Sequence, residues 1–127
     1  MNNFQSLVGR EITGVYVSDD KLLLKLEFKT GNDAMYSAEG DCCSSSWIES
    51  VSFLSLGKVR AVEFIDADQV DHDQDEVIEV YGVKILFSHE PGELLIEFRN
   101  SSNGYYGGWL EMVRAVPIDT VWKRVAV

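Results

Sequence analysis

Two adjacent cysteines, Cys42 and Cys43, stand behind Asp41 and ahead of three serines in the stretch DCCSSSWIES, residues 41–50, and they are the only thiols in the chain. A thiolate is both a nucleophile and a soft metal ligand, so cysteine catalysis or a metal site would be built here, with His72 or His89 as the base. Several features argue against it. The Asp41 carboxylate opposes a neighbouring thiolate by like charge, and adjacent cysteines lack the C-x-x-C spacing that lets two thiolates hold one zinc. A disulfide between sequence neighbours closes a strained ring, so both thiols are expected to be reduced. The plainer reading is one small buried hydrophobe beside one turn residue. P-loop, dinucleotide, H-E-x-x-H and G-x-S-x-G patterns are absent, so no cofactor is expected and a thiol enzyme is the secondary reading.

A second candidate is acidic. From Glu63 to Glu79 there are eight carboxylates and no Lys or Arg, and Asp71, Asp73 and Asp75 imitate the first three ligand positions of a calcium loop. The imitation fails at Glu76, where a glycine is required, and at Gly82, where the bidentate glutamate belongs, so a solvated loop is expected and divalent binding is the weaker alternative. The third candidate is SSNGYYGGW, residues 101–109, in which Tyr105, Tyr106 and Trp109 among glycines form either a flat contact surface or one packed face of a hairpin.

The elements that must position these groups follow from periodicity. Asn2 or Asn3 is expected to cap a short helix through FQSLV that ends at Gly9. Ile12–Val17 reads as a strand. In KLLLKLEFK, Leu22, Leu24, Leu26 and Phe28 take one parity, the mark of a half-buried strand, and AMYSAE completes a three-stranded meander. Ser46 and Glu49 fit a capping box, and Trp47, Val51 and Leu54 recur at i, i+4 and i+7, so WIESVSFLSL is expected to be an amphipathic helix ending at Gly57, with the cysteines near its positive end. KVRAVEFIDA is a strand and QVDHDQDE a loop. VIEVYGVKILF is apolar on both parities, as in a central strand covered on both faces. ELLIEFRNSS and YYGGWLEMVR flank Asn103-Gly104 as a hairpin in which Phe98 faces Trp109 and Leu95 faces Met112, and PIDTVWKRVAV adds an edge strand. The expected fold is α+β but mainly β: a single curled antiparallel sheet or partly open barrel on one short central helix, with a short N-terminal helix, in one domain over residues 1–127.

At 127 residues and 46% hydrophobic composition the chain has enough apolar material for a core. No apolar run is long enough to span a membrane and the N-terminus lacks the pattern of a signal peptide, so a cytoplasmic location without membrane contact is expected. With 21 acidic and 11 basic side chains the net charge is −10. The basic residues are scattered, so direct nucleic-acid binding is disfavoured; such acidity most often serves solubility alone, and the sharper readings are a cation site or attraction to a basic protein surface.

The motifs LVGREI at 7–12, DCCSSSWIE at 41–49 and SNGYY at 102–106 recur in that order in a family of small, uncharacterised proteins of bacteria and their phages, a domain of unknown function, which this chain resembles. Members often carry acidic residues after the paired cysteines where this chain has serines. The resemblance implies an accessory protein of phage or mobile-element setting. The leading expectation is therefore a non-enzymatic binding module that contacts a host or phage protein through its acidic surface or the Tyr105, Tyr106, Trp109 hairpin, in the manner of a DNA mimic. The alternatives are the thiol or metal site at Asp41, Cys42 and Cys43 with a histidine, and a structural homo-oligomer.

Overall fold

The computed structural model describes residues 2–41, 43–72, 76–89, 92–102 and 107–126, with backbone alone for residues 2, 3 and 66–72. Among these, the strands are β1 (Ile12–Ser18), β2 (Leu23–Phe28), β3 (Ala34–Gly40), β4 (Ser45–Phe53), β5 (Val59–His72), β6 (Val77–Phe87), β7 (Glu93–Ser102), β8 (Gly108–Val113) and β9 (Trp122–Arg124). They form two antiparallel sheets, one ordered β8-β3-β2-β1-β9 and the other β4-β7-β6-β5. The first contains the expected meander and, at its edge, the expected C-terminal strand. In the second, β5, β6 and β7 are successive neighbours and β4 lies beside β7, which is Greek-key order.

The two sheets share one core. Val15, Leu24, Leu26 and Leu110 from the first meet Ile48, Ile85, Ile96 and Phe98 from the second, all at most 2% exposed. Each such side chain contributes about 1.5–3 kcal/mol on burial. The alternation read in KLLLKLEFK is real for Leu24, Leu26 and Phe28, whereas Leu22 precedes the strand and is exposed.

The α+β expectation is overturned, because the segment after Ser46 is extended. Residues Ser45–Phe53 pair along their length with β7, from Ser45 opposite Ser101 to Phe53 opposite Leu94. Ile48 is buried, Val51 and Phe53 pack on the core, and Leu54, third member of the supposed helical stripe, is 72% exposed. A register shift between Ile48 and Ser50 inserts Glu49 as an extra residue, so two stretches of period-two pattern are joined out of phase. Out-of-phase strand pattern over nine residues imitates a helical one, while five serines in residues 44–52 weaken a helix. With no helix here, Cys43 has no helix dipole beside it. A single curled sheet is likewise replaced by two sheets, and β6 is central but has only one face on the shared core.

The N-terminal helix is a 3-10 turn, Asn2–Leu7, followed by Gly9 at φ +90, the left-handed conformation expected at that glycine. It is anchored by Phe4 and Leu7, both 0% exposed. The Phe4 ring lies flat on Tyr36, centroids 4.1 Å apart, and meets Phe64 edge-on at 6.1 Å. Tyr36 is fully buried and its hydroxyl has no hydrogen-bond partner among the described residues. Burial pushes this hydroxyl well above the usual tyrosine range, with Arg10 pulling weakly the other way. The folded form therefore stays neutral where the unfolded chain ionises, so this group's stability contribution is intact below about pH 10 and declines as pH rises beyond it. Tyr36→Phe is expected to raise stability by about 1 kcal/mol at neutral pH by removing an unpaired polar atom, and to flatten the alkaline decline; urea midpoints across pH measure both.

Candidate functional site

The chain passes from one sheet to the other at a corner built from the first sequence motif. Gly40 ends β3, and the turn Asp41–Ser44 closes with Ser44 N donating to the Asp41 carbonyl at 3.0 Å. Cys43, exposed, sits in that turn at φ +71. An L side chain in this region costs about 1–2 kcal/mol that glycine does not pay. Cys43→Gly is thus expected to hold or raise the urea midpoint, and Cys43→Val to lower it; a clear loss in the glycine variant would mean that the thiol's own contacts hold the turn.

Behind the corner lies Asn100 of β7, 0% exposed. Its Nδ2 donates to Ser44 Oγ at 3.1 Å and Ser46 Oγ at 2.9 Å. Ser44 Oγ donates to the Asp41 carbonyl and Ser46 Oγ to the Glu39 carbonyl, each at 2.7 Å. Both serines have spent their one proton, so they can only accept from the amide, and this fixes which end of Asn100 faces them. The clamp ties β3, β4 and β7 together and leaves Asn100 Oδ1 buried and without a partner among the described residues. Gly40 and Gly108, opposite each other in β3 and β8, make room for it: a Cβ on Gly40 would lie 2.8 Å from Asn100 Nδ2, and one on Gly108 would lie 3.0 Å from Asn100 Cβ.

Neither histidine converges on Cys43. His89 lies beyond the far end of β4, a strand of nine residues that spans about 26 Å at 3.3 Å per residue. There it stacks on Phe87 with rings 2° from parallel, shares a 2.8 Å hydrogen bond with Ser55 Oγ, and fills the space left by Gly57 and Gly92. It latches the β4–β5 crossover to the β6–β7 turn. His72 lies at the corner's end of the second sheet, but on β5. Its backbone stands opposite Val77, itself opposite Ser102, which places it about 14 Å from the row of β4 at 4.8 Å per strand. Cys42, Asp73, Asp75, Tyr105 and Tyr106 lie outside the described residues. The expected loop at Gln69–His72 is strand: β5 continues to His72, with Asp71 opposite Ile78. The expected β7–β8 hairpin is not formed, because β7 pairs with β4 and β6 while β8 pairs with β3. Phe98 stands opposite Ile48 and Tyr81, and Trp109 opposite Glu39.

Charge is distributed unevenly over the two sheets. Between Ser45 and Ser102, the span of the second sheet, lie 12 of the 21 acidic and only 4 of the 11 basic side chains, a net charge of −8 out of −10. The strand β5 is the longest described and forms an edge of its sheet. Register shifts after Ile65 and after Gln69 keep Glu63, Asp68 and Asp71 opposite Lys84, Val80 and Ile78, alternate positions of β6. Sequence reading found the carboxylates but not this edge, since bulges leave no simple pattern. The outer face of the second sheet also carries Trp47, whose Nε1 donates to Glu49 Oε1 at 3.0 Å, and Arg99, 3.3 Å from Glu97 Oε2 and 3.7 Å from Glu49 Oε1. On the first sheet, by contrast, Lys25 lies 4.6 Å from the Tyr16 ring and 4.7 Å from that of Trp122, so this cation is occupied by its own aromatics.

Residues 5–112 match the model of a family described as a domain of unknown function, DUF7448. The chain belongs to that family. It is also 30% identical over 118 residues to "Uncharacterized protein L278" of Acanthamoeba polyphaga mimivirus, an alignment covering 84% of this chain and 90% of that protein. No solved structure matches. The expected unknown-function family is thus found, but neither match places it in bacteria or phages, and neither carries an activity. No described helix is long and apolar enough to cross a membrane.

Proposed function

We propose that this protein is a non-catalytic binding module that engages a basic protein partner, of host or viral origin, through its acidic half. The observation that supports this reading is the charge of the second sheet, whose strands carry eight acidic and three basic side chains against three of each in the strands of the first. Charge collected on one side steers a basic partner and orients it on arrival, which charge spread evenly for solubility does not do. An exposed edge strand lined with acidic positions also resists pairing with its own copies, so the two uses are compatible. The test is capture of cell proteins by the wild-type chain and by the triple variant Glu63→Gln, Asp68→Asn, Asp71→Asn at rising salt. Capture that weakens with salt and with neutralisation is the expected result. A captured set indifferent to both would remove the charge-based reading. Competition by duplex DNA then shows whether the groove engaged is one that otherwise holds nucleic acid, as a DNA mimic requires.

A further inference from the structure

We infer that the outer face of the second sheet is the docking surface, and that its partner presents a basic amphipathic helix; this rests on the binding-module reading above. The register gives the face its composition. Trp47 stands opposite Arg99 and Arg99 opposite Val80, while Leu95 stands opposite Lys84, and Ile65 opposite Gly82. With Ile78 and Leu86, six apolar side chains lie on the face turned away from the shared core, Ile65 exposed and the other five half-buried. A water-facing antiparallel sheet normally alternates to polar residues on that side. Central strand β6 is apolar on both parities: one face meets the core, and the other is half-buried, with the Ile65 side chain lying over Gly82. At one end the face deepens into an open cleft of about 470 Å³ whose apolar walls include Phe53, Leu54, Leu86 and Leu95. That is room for anchoring side chains.

Charge selects the occupant. The face's cations Lys84 and Arg99 are engaged by Glu93 and by Glu97 with Glu49, and Arg60, which lines the cleft, donates through Nε to the Phe87 carbonyl at 3.4 Å, whereas Glu63 makes no ion pair among the described residues. A second copy of this chain would bring another −10 against it, so self-association is opposed where a cationic partner is attracted. A four-stranded face is about 14 Å across between its outer strands, matching a helix of about 10–12 Å diameter, with apolar residues inward and Lys or Arg reaching the rim.

Three synthetic probes test this: a Leu/Lys peptide with helical periodicity, the same composition scrambled, and oligolysine, each titrated by calorimetry at low and high salt. The periodic peptide is expected to bind about tenfold or more tightly than the scrambled one and to lose about tenfold on Leu95→Gln or Ile65→Gln. Both sites face outward, and unchanged urea midpoints verify that each variant is folded. Equal, salt-sensitive binding of all three probes, or indifference to both substitutions, would overturn the docking face while leaving the acidic module standing. No binding of any basic probe at low salt would remove both.

Discussion

Asn100→Asp is expected to cost about 3–5 kcal/mol at pH 7, the range for an uncompensated buried charge, although it exchanges only an amide nitrogen for oxygen. The amide in the wild type gives two protons to Ser44 and Ser46, whose own protons are committed to the Asp41 and Glu39 carbonyls. A carboxylate placed there gives none. It either faces two oxygen lone pairs in a site with no exposure or draws the serine protons away from the carbonyls they satisfy. The folded-state pKa of the new acid must rise above its unfolded value of about 3.9, so the penalty is absent below that pH and grows as pH rises through and beyond it. The variant should therefore approach the wild type at about pH 3 and diverge from it towards neutrality, in urea midpoints compared at each pH. A variant equal to the wild type at pH 7 would show that the corner is open to water and that the clamp does not hold the sheets together.

Phe4→Ala is expected to lower stability by about 3 kcal/mol, within the range for truncating a buried phenylalanine. The side chain is fully buried between Tyr36 and Phe64, on a turn too short to be stable without it. The loss can be read in two ways that hydrogen exchange separates. If only the N-terminal turn detaches, the amides of Gly9 and Arg10, which bond to Val59 and Leu7, lose protection while β2 and β7 keep theirs. If the sandwich loosens as a whole, all lose protection together. In the first case water reaches the Tyr36 hydroxyl and the alkaline decline of stability weakens. An unchanged urea midpoint together with unchanged protection would show that Phe4 contributes little.

Elements were legible where one local signal decided them. The period-two run of β2 and the turn at Gly9 needed no tertiary information, and neither did the edge strand at Trp122–Arg124. The β4 segment imitates a helix because its bulge at Glu49 shifts the phase within nine residues, and a capping-box match is cheap in a serine-rich stretch. The Asn103-Gly104 signal described a local tendency, whereas the partners of β7 and β8 are set by sheets assembled from distant parts of the chain. Of the candidate site, composition revealed the acidic segment but not that it forms an edge. The clamp was hidden because Asn100 lies in β7, remote in sequence from Ser44 and Ser46. The outer apolar face is visible as the two-sided pattern of VIEVYGVKILF, but only the fold shows that one side lies off the shared core.

The first sheet is discontinuous in the chain: β1, β2 and β3 come before the whole of the second sheet, and β8 and β9 come after it. During synthesis from the N-terminus, the edge of β3 that belongs to β8 must wait for nearly seventy residues to emerge, and joining Gly40 to Gly108 closes a loop of that length. Such long-range pairing is slow to form. The nascent protein consequently passes through a stage in which β3 offers a bare edge, and its vulnerability to aggregation at that stage is set by how fast the intervening Greek key assembles.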